Sequence, residues 1–243
     1  MSQSKKGISK IGVVGAGNMG SGIAQKIAQE GINVVMLDVK EEFVSRGLSN
    51  IKKILEEGIE RKFFTPAKVQ ETLSRITATT DINALSDADI VIEAVFENKE
   101  VKSELFGKLD KICSPETILA TNTSSFFVKE LAEKTSRPDR FVGLHYFYHP
   151  AKNRLLEVIP HDKTSRETVE KSILAAKKAG LELRKGPRNE IISSFIENQI
   201  LRLNEAGQRS AVTSAPSALS RLFVDILTEV NGNIIQPDCS IES

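Results

Sequence analysis

Glu157 lies in the run RLLEVI, flanked by Leu155, Leu156, Val158 and Ile159. In a strand buried on both faces an ionised carboxylate costs several kcal/mol unless it is paired. The best nearby candidate partner is His145, in the preceding apolar run FVGLHYF. A carboxylate on one imidazole nitrogen fixes the tautomer and raises the basicity of the other, which makes a general base suited to neutral pH. The same spacing also suits a structural hydrogen bond, or a glutamate facing solvent on an edge strand, and spacing alone does not choose among the three. His149 forms an H-x-x-x-H pair with His145, but Pro150 and the apolar pattern argue for extended chain. Four extended residues hold two side chains about 13 Å apart, too far to share a metal ion. His161, after Pro160, reads as a surface residue.

A second cluster is the glycine run in IGVVGAGNMGSGIAQ, Ile11 to Gln25. Gly15, Ala16, Gly17, Asn18, Met19 and Gly20 follow an apolar strand and open a helical pattern. Gly15 allows the tight turn, Gly17 lets backbone amides approach a diphosphate, and Gly20 lets the helix pack closely on the strand. The helix start adds free N–H groups and about half a positive charge. Asp38, ending the next apolar run, stands where a carboxylate accepts from both ribose hydroxyls and repels a 2′-phosphate, which favours NAD over NADP. Lys40 nearby is the one residue that would offset that repulsion. The alternative is a structural turn with a solvated aspartate.

These residues need a scaffold, and the apolar periodicity supplies one. Ile11–Val14, NVVMLD, ITATTD, ADIVIEAV, TILATNTS, FVGLHYF and RLLEVI read as strands. Ile23, Ala24, Ile27 and Ala28 mark one face of a first helix that Gly31 closes. Glu41 to Leu73 reads as two helices broken at Thr65-Pro66, with Pro66 in the first turn of the second. VKSELFGKLDKI is an intervening helix carrying Val101, Leu105 and Leu109, and TSRETVEKSILAAKKAG is a helix capped by Thr164 or Ser165 and stopped by Gly180. The order implies a right-handed βαβ start and a largely parallel sheet. Past about Gly186 the pattern weakens, although FIENQILRLNEAG and LSRLFVDILTEV read as helices.

Bulk properties narrow the partners. The 243 residues carry 33 Lys plus Arg against 32 Asp plus Glu, so no broad field favours nucleic acid or an anionic membrane. Cys113 and Cys239 form neither a disulfide framework nor a metal knuckle. The polar start MSQSKKGISK has no apolar signal core and no run approaches membrane-spanning length. A cytoplasmic protein without a mitochondrial presequence is the expectation.

The motifs IGVVGAGNMGSGIAQ, VVMLD, VIEAVFEN, ATNTSS, RFVGLHYF and LLEVI follow in order between about Lys10 and Gly180. In this the chain resembles the NAD-binding domain of the L-3-hydroxyacyl-CoA dehydrogenases. The resemblance implies an α/β, Rossmann-type, doubly wound and mostly parallel sheet with a helical excursion over residues 1–187. A short helical segment, 188–243, then stands for the family's substrate and dimerisation domain. It implies His145 as general base, Glu157 as its orienting acid, and Ser124 at the position that hydrogen-bonds substrate beside the cofactor. Glu97 and Lys102 match cofactor-contacting positions after the fifth strand; read without the family, both are solvated charges at a helix start. Arg61 and Lys62 lie in the excursion, where the family sets cations against the phosphates of its acyl-CoA thioester substrate. On a helix face such charges are otherwise plain solvation.

Two departures stand out. The family reads H-F-F-N-P after its histidine, whereas this chain has HYFYHP, with Tyr148 in the asparagine's place. The family then runs through an active-site asparagine into a longer helical domain. Here FIENQI echoes that segment, so Asn198 stands for the asparagine, with Glu197 before it. The expectation is a sound cofactor domain followed by a truncated or rearranged end, with Leu222, Phe223 and Ile226 exposed on LSRLFVDILTEV and the family homodimer in doubt. The leading reading is an NAD-dependent 3-hydroxyacyl-CoA dehydrogenase of fatty-acid β-oxidation. The alternatives are an NAD-binding protein without turnover and a dehydrogenase of a free hydroxy acid.

Overall fold

A computed structural model describes residues 7–185. The boundary expected at 187/188, Asn198 and the two late helices lie outside the described residues, as does Cys239. The fold opens with β1 (Lys10–Val14), α1 (Asn18–Gln29) and β2 (Asn33–Leu37). The excursion follows as α2 (Glu41–Glu60) and α3 (Pro66–Ser74), leading into β3 (Ile76–Thr79). The second half runs β4 (Ile90–Glu93), α4 (Lys99–Ile112), β5 (Ile118–Thr121), α5 (Val128–Ala132), β6 (Phe141–Tyr146), β7 (Leu155–Ile159), α6 (Arg166–Lys178) and β8 (Glu182–Lys185).

The strands form one sheet in the order β3-β2-β1-β4-β5-β6-β7-β8. All neighbours pair in parallel except β6 and β7, which run antiparallel. The chain leaves β1 toward β2 and β3, then returns to the other side of β1 as β4. That reversal opens a crevice at the carboxyl ends of β1 and β4, where ligands of such sheets bind. Alternation along the central strands divides the core. Ile11, Val13, Ile90 and Ile92 face a layer containing Ile23, Ile27, Ile51 and Leu55. Val14 and Val91 face Phe106, Leu109, Leu131 and Phe141.

Local signals set the helix ends. The Thr65 hydroxyl accepts from the Lys68 amide at 3.2 Å, with Pro66 in the first turn of α3. The Ser165 hydroxyl likewise accepts from the Thr168 amide and caps α6. Gly31 and Gly180 both adopt positive φ just past helix ends, as a left-handed stop requires. In α4 the buried face differs from the expected one: it is Lys102, Phe106 and Leu109, turned because a paired lysine rather than Val101 takes the inward position. β8 was not legible as a strand; its ELRK run is short, charged and at the sheet edge. Burial pushes the Cys113 thiol up to about 11. No helix among the described residues is long and apolar enough to cross a membrane.

Candidate active site

The glycine loop sits at the crevice. Gly15 has φ +105, and a Cβ there would lie 2.5 Å from the Ala94 carbonyl oxygen, so β1 and β4 close around it. At Gly20 a Cβ would lie 1.7 Å from the Gly15 carbonyl oxygen, which ties the first turn of α1 to the loop. Gly17 is different: a Cβ there would meet nothing within 4 Å. It forms the N-cap of α1, and no side chain caps that helix start. Open space in front of uncapped amides fits a diphosphate. Asp38 Oδ2 accepts from the Ala16 amide at 2.7 Å and Oδ1 from the Val39 amide at 2.7 Å, so its carboxylate is fixed beside the loop. Each oxygen keeps a lone pair for a ribose hydroxyl. Lys40 turns its ammonium over the Phe43 ring, 5.5 Å from the centroid.

The antiparallel register places His145 directly opposite Glu157. Side chains of opposed residues share a face, and His145 Nδ1 lies 3.0 Å from Glu157 Oε2. The two side chains are 20% and 11% exposed, so the carboxylate is nearly dry while the imidazole keeps an opening to the surface. Nδ1 donating to the carboxylate leaves Nε2 as the basic nitrogen.

Glu97 and Lys102 follow β4, the fourth strand rather than the fifth; Glu97 is exposed, whereas Lys102 is not a solvated charge. Lys102 is 1% exposed. Its Nζ lies 2.5 Å from Glu93 Oε1 and 3.0 Å from Glu97 Oε2. Glu93, the last residue of β4, is wholly buried, and its Oε2 accepts from the Thr121 hydroxyl at 2.7 Å. Burial raises the Glu93 carboxyl above its ordinary range, with the Lys102 charge and hydrogen bond pulling the other way. Burial acts in the same sense on Glu97, but the hydrogen bonds from Thr123, Lys102 and Ser124 and the Lys102 charge together hold it below that range. Ser124 is exposed on the loop after β5, and its amide donates to Glu97 Oε1 at 3.2 Å. Two positions here escaped the sequence reading. Glu93 carries the same signal that singled out Glu157, an acid within apolar strand residues. Asn122, whose Oδ1 accepts from the Tyr146 amide at 2.8 Å, carries no signal beyond its place in TNTSS.

The remaining expected positions divide. Arg61 lines a cavity of about 250 Å³ with Phe63, Phe64, Ala151 and Lys152, against the segment that leaves β6. Lys62 is exposed at the adjoining turn, with φ 61. Tyr148 is 65% exposed. His149 lies beyond the end of β6, its ring 3.8 Å from that of Tyr148, rather than on extended strand. His161 is not a surface residue: its side chain is 3% exposed. Its Nε2 pairs with the Pro138 carbonyl at 2.8 Å because the Pro160 turn folds it inward.

Residues 10–182 match the model of the 3-hydroxyacyl-CoA dehydrogenase NAD-binding domain. The chain belongs to the 3-hydroxyacyl-CoA dehydrogenase family. It is therefore an oxidoreductase whose matched domain binds NAD. Among relatives, a probable 3-hydroxybutyryl-CoA dehydrogenase of Deinococcus radiodurans is 42% identical over 82% of this chain and 71% of that protein. A fatty acid oxidation complex subunit alpha of Shewanella halifaxensis is 38% identical over 83% of this chain, which spans only 28% of that longer protein. Among solved structures, (S)-3-hydroxybutyryl-CoA dehydrogenase from Ralstonia eutropha aligns with a TM-score of 0.73 at 34% identity, over 87% of this chain and 75% of that one.

Proposed function

We propose that this family member interconverts an L-3-hydroxyacyl-CoA and the 3-ketoacyl-CoA, with His145 as the general base and Glu157 orienting it. The observation that carries the reading is the 3.0 Å contact of His145 Nδ1 with Glu157 Oε2, at the carboxyl end of β6 in a dinucleotide-binding sheet. NAD, when bound, supplies the acceptor for the hydride that leaves C3. His145 Nε2 takes the proton of the 3-hydroxyl as the C3–O bond becomes a carbonyl. The Glu157 carboxylate stabilises the imidazolium that results and keeps the ring from turning. Ser124 offers its hydroxyl to the substrate oxygen, and the glycine loop with Asp38 holds the cofactor's diphosphate and ribose. Arg61, with Lys152 across its cavity, and Lys62 at the neighbouring turn suit the coenzyme A phosphates. Asn198 is the remaining candidate for the substrate side.

A second reading, cofactor binding without turnover, draws support from Tyr148, an exposed phenol where the family pattern has asparagine. One assay separates these readings from a dehydrogenase of free hydroxy acids. NADH consumption is followed with acetoacetyl-CoA and, separately, with acetoacetate. Consumption only with the thioester is expected. Turnover of acetoacetate alone contradicts the proposal, and tight NAD binding with neither reaction supports the silent form.

A further inference from the structure

Glu93, the last residue of β4, takes no part in the proposed proton transfer, yet its side chain ties three parts of the fold together. It is wholly buried. Its Oε1 accepts from the Val95 amide at 2.9 Å and takes the Lys102 ammonium of α4 at 2.5 Å. Its Oε2 accepts from the Thr121 hydroxyl, at the end of β5, at 2.7 Å. The same ammonium lies 3.4 Å from the Val95 carbonyl oxygen and 3.0 Å from Glu97 Oε2. Ala94 and Val95 form the wall that faces the glycine loop. A Cβ on Gly15 would lie 2.5 Å from the Ala94 carbonyl oxygen and 3.0 Å from the Val95 nitrogen, and the Ala94 amide donates to the Val14 carbonyl at 2.7 Å. The carboxylate is thus bonded to the wall of the crevice that the strand reversal opens to a dinucleotide. A buried ion pair is no more stabilising than apolar groups of the same volume. What it adds is fixed geometry, because charge-assisted bonds hold a turn, a helix and a strand end to one pair of oxygens.

We infer that Glu93 is a positioning residue for the cofactor, whose carboxylate anchors the Lys102 ammonium behind Glu97 and against the turn that walls the glycine loop. The inference rests on the cofactor contacts that the family resemblance gives Glu97 and Lys102. Cofactor binding, and not the proton transfer, is the step that Glu93 serves, since His145 and Glu157 stand on β6 and β7. Loss of its charge leaves Lys102 with Glu97 as its one remaining acid and frees the pair to shift at the edge of the crevice.

The test compares wild type, Glu93→Gln, Lys102→Met and the double variant by NAD titration, thermal melting and steady-state reduction of acetoacetyl-CoA with NADH. Glu93→Gln keeps the shape and an acceptor oxygen for Val95 but loses the charge that holds the ammonium. Its Kd for NAD and KM for NADH rise about tenfold, while kcat at saturating NADH stays within about threefold. The double variant binds NAD no more weakly than Lys102→Met, because Glu93 acts through the ammonium. It also melts above Lys102→Met, which strands a buried acid without its partner. Thr121→Val removes one donor to the same carboxylate, gives a smaller rise in Kd, and serves if Glu93→Gln does not fold. An unchanged Kd in Glu93→Gln beside a lowered melting temperature overturns the inference and leaves Glu93 a purely structural residue. Losses of affinity that multiply in the double variant overturn it too, since the two residues then act apart. A wild-type chain that binds no NAD removes the cofactor site, and the inference with it.

Discussion

Glu157 and Glu93 are acids in the same kind of place, and their partners give them opposite tasks. Glu157 faces an imidazole that is partly open to the surface, so in the proposed mechanism its charge serves a group that takes a proton from substrate. Glu93 faces an ammonium with no access to water, so its charge is spent on holding Lys102. Replacing Glu157 by Gln tests that division. A neutral amide leaves the shape of β7 intact and its oxygen still accepts from His145 Nδ1, so the melting temperature falls only by the difference between a charged and a neutral acceptor. Turnover falls on the order of a hundred-fold, because the imidazole loses the charge that stabilises its protonated form. Steady-state kinetics beside a thermal melt checks both halves, and a variant that keeps full turnover removes Glu157 from the mechanism. The His145–Glu157 pair was legible because a lone acid in RLLEVI needs a partner and, of the two imidazoles that precede it, His145 is the one inside an apolar strand run. The same reasoning passes over Glu93, whose partner lies across a helix, and a charge on a helix reads as solvated until the helix's inward face is known.

At the scale of the element, the glycine loop separates what the fold needs from what the ligand needs. A methyl group at Gly20 collides with the backbone of Gly15, whereas one at Gly17 enters open space. Gly17 also has φ −69, which alanine adopts without strain. Gly20→Ala is therefore expected to lower the melting temperature by about 5–10 °C, the size of a roughly 2–3 kcal/mol overpacking penalty in a domain this large. Gly17→Ala is expected to melt like wild type and yet bind NAD about tenfold or more weakly, because its methyl occupies the diphosphate's approach. Calorimetric titration with a parallel melt reads both, and a Gly17→Ala protein with unchanged affinity would place the diphosphate elsewhere. Helix ends such as Pro66, Ser165 and Gly180 were readable, since capping is a matter of local chemistry. The inward face of α4 was not, because an apolar count rotates the helix away from Lys102.

At the scale of the whole molecule, the sheet order does the assembling. Strand reversal at β1 and β4 sets the glycine loop, Asp38 and Glu97 along one edge of the sheet, and β5 and β6 extend that edge to Ser124 and His145. The antiparallel return of β7 then lays Glu157 against His145. Seven of the eight strands and the parallel rhythm could be read from apolar runs, but neither β8 nor the pairing that joins the two catalytic candidates has a local signal. The central claim is that one edge binds NAD and holds the base as separable parts. The direct measurement is NAD titration and acetoacetyl-CoA reduction in wild type and His145→Ala. The account predicts NAD affinities equal within about twofold and turnover lower by at least about a hundred-fold in the variant. Retained turnover in His145→Ala, or no NAD binding by the wild-type chain, would contradict it.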